Sequence, residues 1–379
     1  MILTEEQSLI RDTARRFACE KLAPTAAQRD RDRRFPAEEL AELGKLGFLG
    51  MVVPQQWDGA GADYVSYVVA IMEIAAGDGT ISSIMGEHTS VCCLPVLKYG
   101  TQQQKEQFLR PMARGEAIGC FCLTEPEAGS DVASIKTRAL KDGSSGYILS
   151  GTKQFITSGR NAKVGIVFAV TDPDAGKNGI SAFVVPTDTP GWVVTRIEEK
   201  MGQRSSDTCA IVFEDMRVPA KSLLGREGEG LKIALANMDG GRLGIAAQSV
   251  GMGRAAFQYA LTYAKERRQF GKPIIEHQAV AFRLADMAIR LEAAEQLVLH
   301  VAAMRDAGLS CVKEASMAKV LASEMAEKVC SDAIQTLGGY GYLADFPVER
   351  IYRDVRVCQI YEGTGDIQRL VIARALAAA

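Results

Sequence analysis

The stretch Ala117-Ile-Gly-Cys-Phe-Cys-Leu-Thr-Glu-Pro-Glu-Ala-Gly-Ser-Asp131 marks the point where the chain changes character. Ile118 to Leu123 is an apolar, partly aromatic run of strand length, and it stops abruptly at a hydroxyl, two carboxylates, a proline and a glycine. Runs of the same kind follow at Tyr147 to Leu149, Val164 to Val170, Ser181 to Val185, Trp192 to Val194 and Ala210 to Phe213. Turn signals separate them: Asp142-Gly143, Gly151, Asp172-Pro173, Asn178-Gly179 and Pro190-Gly191. No long helical pattern lies between these runs, so they predict an antiparallel sheet or barrel-like domain and not βαβ units.

Working outward, the flanks are helical. Thr4 and Gln7 fit a capping box, followed at helical spacing by Ile10, Ala14 and Phe17. The mixed-charge run Arg29 to Arg34 reads as a solvated connection, and Pro36 as the first residue of a new helix. Asp63 is the expected N-cap, and Gly77 the expected residue just past the C-terminus, of a segment apolar nearly all round and hence central to a bundle. After Gly225-Arg-Glu-Gly-Glu-Gly230 the helical period returns. Val280, Leu284, Met287, Leu291, Ala294, Val298 and Val301 alternate steps of four and three, as in a long helix packed at a shallow angle. The expectation is a multidomain α+β chain with an N-terminal α-helical domain over 1–116, a middle antiparallel β-barrel-like domain over 117–225 and a C-terminal four-helix-bundle-type domain over 226–379.

A length of 379 residues exceeds one ordinary core, in keeping with several domains. The 44 basic residues against 46 acidic ones leave a charge of -2, which gives no positive field for nucleic acid. The nine cysteines show neither a CxxC pair nor a matching histidine spacing, so reduced thiols are expected and no metal. Tyr64 to Ala76 is interrupted by Ser66 and Glu73 and is shorter than the ~20 apolar residues of a membrane span. Met1-Ile-Leu-Thr-Glu-Glu-Gln runs into the first helix without a leader pattern. A cytoplasmic chain of bacterial type is expected, or a matrix protein if it is a processed mitochondrial chain.

Some catalytic strings carry little. Gly251-Met-Gly-Arg-Ala-Ala256 matches a dinucleotide fingerprint, but it lies in a helical pattern with no strand before it and reads as close helix packing. Ser150-Gly-Thr-Lys153 and Ser316-Met-Ala-Lys319 match SxxK without the accompanying motifs. Three segments concentrate small and polar residues. Thr124 to Asp131 is either an Asx-rich turn or a strand end that offers its backbone groups to a ligand. Lys153 to Gly159 ends a strand in the same way, and the two together can line one wall of a pocket. In Gln359-Ile-Tyr-Glu-Gly-Thr-Gly-Asp-Ile-Gln-Arg369 a helical run breaks at Glu362-Gly-Thr-Gly365, and a new helix starts with Asp366 as its expected N-cap. Glu362 is either a cap or a base on a short loop, where apolar neighbours would raise its pKa from about 4.3.

Over essentially its full length the chain resembles the acyl-CoA dehydrogenase family, nearest the short- and medium-chain straight-chain members. The resemblance rests on Thr124 to Asp131, Phe155-Ile-Thr157, Met201-Gly-Gln-Arg204, Val212-Phe-Glu-Asp215, Glu266-Arg-Arg-Gln-Phe-Gly271, Ala333 to Gly341, and Ile360-Tyr-Glu-Gly-Thr364 with Ile367-Gln-Arg369, in family order. It implies FAD as cofactor, an acyl-CoA substrate and oxidation to the trans-2-enoyl-CoA. Glu362 is the implied base, taking the α-proton while the β-hydrogen leaves as hydride.

For FAD, the resemblance implies Phe121, Leu123, Thr124, Gly129 and Ser130 on one strand and loop, with Phe155 and Thr157 opposite. Phe155 stands where the family more often has tryptophan. Arg267, Gln269, Phe270, Gln278, Gln335 and Gly339 match positions that reach the FAD of a neighbouring subunit, which implies a homotetramer built as a dimer of dimers. Thr364 and Asp366 match cofactor contacts after the base, with Asp366 replacing the usual Gln or Glu. For the substrate, Ser130, Asp239, Arg242, Tyr361 and Gly363 are the implied contacts, and the acyl tail is expected near the segment Glu87 to Val96, lined by His88, Thr89, Cys92 and Cys93. Gly241 occupies the position at which other branches of the family carry the base, so the straight-chain arrangement is implied. Electron-transfer flavoprotein is the implied electron acceptor. Alternatives of other kinds are a small acyl-CoA oxidase that uses oxygen and a non-catalytic protein that binds FAD or acyl-CoA.

Overall fold

The computed structural model describes residues 1–143 and 145–378, apart from the side chain of Asp239. The chain starts as expected. Thr4 Oγ1 accepts the Gln7 N–H at 3.2 Å and Gln7 Oε1 accepts the Thr4 N–H at 3.0 Å, closing a capping box on the helix Glu5–Phe17. The charged run after it departs from the sequence expectation. Arg29 and Asp30 are buried within a helix, Ala23–Asp32, and do not form a solvated connection. Arg29 pairs with Asp78 at 2.8 Å and Glu39 at 3.1 Å, while Asp30 meets Arg353 at 2.9 Å. Partners from distant segments satisfy these charges, and charge patterning along the chain cannot reveal them. Pro36 is the N-cap of the next helix, Ala37–Lys45, one position earlier than expected.

Asp63 caps the apolar helix Tyr64–Gly77 through the Ser66 N–H at 2.6 Å, and that helix is buried over most of its length. Gly77 is its last helical residue and does not lie beyond it. The reason is proximity: a Cβ at Gly77 would stand 2.9 Å from the Ala18 carbonyl oxygen. Glycine here allows close approach and is not serving a left-handed turn.

The middle of the chain forms strands β1 (Gly119–Cys122), β2 (Arg138–Asp142), β3 (Gly146–Thr157), β4 (Val164–Val170), β5 (Ile180–Pro186), β6 (Trp192–Ile197), β7 (Thr208–Pro219) and β8 (Leu223–Leu224). They pair in the order β6-β7-β3-β2-β4-β5-β8, with β1 added against β4. Most pairings are antiparallel, but β1 and β2 both meet β4 in parallel, so the sheet is mixed. Residues 123–137 and a 3₁₀ turn at Val132–Ser134 connect β1 to β2, so no tight hairpin fixes the direction of β1.

Helices then return as Gly230–Glu266, Gln278–Asp306, Val312–Leu337, Pro347–Val355 and Gly365–Ala377. One apolar core joins the first four of them to Tyr64–Gly77, a second packs helical segments of the N-terminal part against the sheet, and a third lies within the sheet. A Cβ at Gly251 would lie 2.2 Å from the Met72 carbonyl oxygen, so the fingerprint-like string serves helix contact. Among the described residues no helix is long and apolar enough to cross a membrane, and no group of His, Cys, Asp or Glu could hold a metal.

Candidate active site

Glu362 sits between two helices, in the break that follows Arg356–Gln359. Its φ is +54° and that of Gly363 is +86°, so two successive residues adopt the left-handed region and the chain reverses sharply. The carboxylate turns onto the long helix Gly230–Glu266. A Cβ built on Gly241 would stand 2.5 Å from Glu362 Oε2 and 3.0 Å from Oε1, closer than any real contact. The missing side chain at Gly241 is therefore the space the carboxylate fills. Packing around Glu362 strips water from the charged form and raises its pKa, while the positive charges of Lys319 and Arg242 pull it back. Arg242 is itself buried and reaches Ser316 Oγ at 3.5 Å.

Beside Glu362 and Gly241 is a cavity of about 20 Å³, room for roughly one water, bordered also by Ser82, Ser83, Glu87, Ser90 and Gln248. Glu87 and Ser90 fall within the expected tail segment, while Ser82, Ser83 and Gln248 were missed in the sequence. His88, Thr89, Cys92 and Cys93 do not border it, because the helix rotates through a π segment, His88–Cys93, and turns them elsewhere. His88 is instead a strut. Its Nδ1 accepts the Gly119 N–H at 3.0 Å, so Nε2 carries the proton and donates to the Met112 carbonyl at 3.0 Å. Burial pushes the Glu87 pKa up to about 8, with Glu362 adding repulsion and the neighbouring Thr157 and Phe121 opposing the shift. Through Glu87 the strand ends meet the base.

These strand ends hold the first group of expected cofactor residues. Gln154 N–H donates to the Thr124 carbonyl at 2.9 Å, binding β3 to the turn after β1. The β3–β7 register shifts between Lys153 and Ile156, and within this bulge Phe155 has φ +60° and is 62% exposed. Phe121 and Thr157 are half-buried, Leu123 is buried, and Gly129 and Ser130 are exposed on the turn. A buried ion pair missed by the sequence reading organises that turn. Lys153 Nζ reaches Glu125 Oε1 at 2.8 Å and the Leu123 carbonyl at 3.1 Å, and the Glu125 carboxylate also accepts the backbone N–H groups of Lys136 and Thr137.

Tyr361 borders the same cavity and donates to Gln248 Oε1, with Gln203 Nε2 at 3.4 Å. Gln203 N–H binds the Asp354 carboxylate, so the Met201 to Arg204 string fastens the β domain to the segment that leads to the base. Thr364, and not Asp366, is the N-cap of the last helix: Thr364 Oγ1 accepts the Ile367 N–H at 3.3 Å, while Asp366 is exposed in the first turn. Asp239 lies on the Gly230–Glu266 helix, two residues before Gly241, and its side chain falls outside the described residues.

The second group of expected cofactor residues lies elsewhere. Tyr263, Arg267, Gln269, Gln335, Gly339 and Tyr340 border an open cavity of about 580 Å³. The Arg267 guanidinium stands 5.7 Å from the Tyr340 ring centroid. Gly338 and Gly339 have nothing within 4 Å where a Cβ would stand, which leaves their backbone accessible. A cation, two amides, aromatic rings and bare backbone make a donor set that fits a dinucleotide's phosphates and ring. Phe270 and Gln278 do not border this cavity. Phe270 is 94% exposed with its ring against His277, and Gln278 is exposed at the start of its helix.

A helical, sheet and helical chain thus carries a desolvated carboxylate at one place and an open cradle fit for a dinucleotide at another, the layout of a cofactor-dependent enzyme. Three family models match in succession: the acyl-CoA dehydrogenase N-terminal domain over 4–116, the middle domain over 120–216 and the C-terminal domain over 228–377. An acyl-CoA dehydrogenase of Bacillus subtilis is 47% identical over 376 residues, covering 99% of each chain. The mitochondrial short-chain specific acyl-CoA dehydrogenase of Bos taurus is 46% identical over 371 residues, covering 98% of this chain and 90% of its own. The solved structure of butyryl-CoA dehydrogenase from Megasphaera elsdenii superimposes with a TM-score of 0.97 at 41% identity, over 100% of this chain and 99% of its own. The chain belongs to the acyl-CoA dehydrogenase family, whose members are FAD-dependent oxidoreductases.

Proposed function

We propose that the protein oxidises a short, straight-chain acyl-CoA to its trans-2-enoyl-CoA, with Glu362 as the base. The observation that carries this reading is the Glu362 carboxylate lodged in the space left by Gly241, in surroundings that raise its pKa. A desolvated carboxylate is a stronger base toward a weakly acidic α-proton than one in water, while Lys319 and Arg242 keep it ionised. The α-proton passes to a Glu362 oxygen. The left-handed turn at Glu362 and Gly363 presents the Glu362 backbone N–H as a donor to the thioester carbonyl, stabilising charge that develops on that oxygen. When bound, FAD supplies the acceptor for the β-hydrogen and its electron pair.

Phe121, Leu123, Thr124, Gly129, Ser130, Phe155 and Thr157 are proposed to hold the flavin end, with Thr364 and Asp366 following the base. Arg267, Gln269, Phe270, Gln278, Gln335 and Gly339 are proposed to hold FAD across a subunit boundary in a dimer of dimers. The outward-facing cradle and the bare Phe270 support that assembly. Ser130, Arg242, Tyr361 and Gly363, with Asp239, are the proposed substrate contacts. The close packing beside the base leaves no room for a long acyl tail, and the lining of serines and Glu87 contains no arginine to receive a distal carboxylate. Electron-transfer flavoprotein is the proposed acceptor, with Phe155 as an exposed aromatic surface beside the flavin end. Nine free cysteines suit a reducing compartment, consistent with a cytoplasmic or matrix location.

The test is anaerobic bleaching of the purified flavoprotein by butyryl- through octanoyl-CoA, followed by reoxidation with electron-transfer flavoprotein or with air. Fast bleaching by butyryl-CoA and reoxidation that needs the flavoprotein are expected. Rapid turnover on oxygen alone would make it an oxidase.

A further inference from the structure

Two polar side chains with no assigned role converge on the loop that carries Glu362. Lys319 belongs to the helix Val312–Leu337 and is 1% exposed, yet among the described residues it salt-bridges no carboxylate. Its Nζ donates instead to the Tyr361 carbonyl at 2.7 Å and to the Gly363 carbonyl, the residues on either side of Glu362. Gln368, from the helix Gly365–Ala377, is 0% exposed, and its Nε2 donates to the Glu362 carbonyl at 3.1 Å and the Gly363 carbonyl at 3.0 Å. Two helices thus hold three successive carbonyls of a loop whose two central residues both have positive φ. A non-glycine residue in that region is strained, so Glu362 stays there only if its surroundings insist on it.

We infer that Lys319 and Gln368 are positioning residues for the Glu362 base: together they lock the loop in its left-handed conformation, and the Lys319 ammonium keeps the base ionised from behind. The inference rests on Glu362 being the base. Burying an ammonium is costly, and two carbonyls are an incomplete return unless its charge is used as well. Burial drives the Lys319 pKa down to about 8, opposed first by Glu362 and then by Cys358, so it remains charged at neutral pH. The other groups facing this pair are Arg242, which favours the ionised base, Glu87, which opposes it, and the thiol or phenol groups of Cys92 and Tyr67.

Charge and geometry make separable contributions. Lys319→Gln keeps a donor and removes the charge. It is expected to move the acid limb of the pH profile for flavin bleaching upward by about one unit or more, since an opposite charge nearby is worth about 1–3 pK units. FAD content should be unchanged, and Lys319→Arg should bring the limb back toward the wild-type position. Gln368→Leu leaves the charge and loosens the loop, so bleaching should slow by about tenfold or more with the limb in place. A wild-type limb in soluble Lys319→Gln protein, or an unchanged rate in Gln368→Leu, would overturn the inference. If Lys319→Gln does not fold, the Gln368→Leu rate decides alone. Bleaching by a Glu362→Gln variant would instead refute the base assignment, so the two failures are distinguishable.

Discussion

Around Glu362 the chain's polar groups are buried: Lys319, Arg242 and Gln368 come from three helices and close on one loop. Around Arg267 they face outward, with Arg267, Gln269, Gln335 and Gly339 all exposed on the rim of a wide cavity. The contrast separates two physical tasks. A base must be desolvated and held still before substrate arrives, because rate depends on its placement and on the medium around it. A cradle for phosphates can stay open, because its energy comes from charge-assisted contacts made when the ligand and a second subunit arrive.

This contrast can be broken in graded ways. Among changes that leave the carboxylate in place, Gly241→Ala should have the largest effect. A methyl group 2.5 Å from Oε2 must displace the carboxylate, and a shift of about 1 Å is worth roughly a hundredfold in rate. Alanine is also the better helix former by about 1 kcal/mol, so thermal stability should hold or rise slightly while single-turnover bleaching falls. A loss of both together would mean that the helix, and not the carboxylate, was disturbed.

Arg267→Ala should produce the opposite pattern. Losing a charge-assisted contact of about 1.5–3 kcal/mol weakens FAD retention by about tenfold or more, read by flavin release on dilution. Protein that keeps its FAD should bleach at the wild-type rate. A slowed rate in the FAD-loaded fraction would join the two regions that the comparison separates.

The pH dependence sharpens the first region. The folded-state pKa of Glu362 is raised, so the reactive carboxylate forms only as pH climbs past that raised value. Bleaching should therefore rise with pH from an acid limb lying above the ordinary glutamate range, and a limb at or below about 4.3 would contradict the desolvated setting. The smallest effect is expected at the cap. Thr364→Ala removes the bond to the Ile367 N–H and should cost about 1 kcal/mol of stability, measured by denaturant midpoint.

Legibility in the sequence followed the range of the interactions. The Thr4 box, the Asp63 cap and the apolar runs within β1, β3, β4, β5, β6 and β7 are written in neighbouring residues and stand where the pattern puts them, whereas the largely exposed β2 and the two-residue β8 carry no such run. Glu362 stood out because glycines surround it. Lys319 surfaced only in an SxxK string that carried little, since its acceptors lie more than forty residues away. Arg29 misled for the same reason, being paired with Asp78 across the fold. Asp366 misled through local chemistry: Thr and Asp both cap helices, and only the turn at Gly363 decides which is in position.

The central claim, that Glu362 is the base, is met most directly by anaerobic stopped-flow mixing of Glu362→Gln with butyryl-CoA, with FAD content measured on the same sample. Glutamine keeps the shape and removes the basic oxygen. The expected result is protein with full FAD loading whose bleaching is slower by about a thousandfold, within the range by which general bases contribute. Near-normal bleaching in that FAD-loaded variant would contradict the assignment.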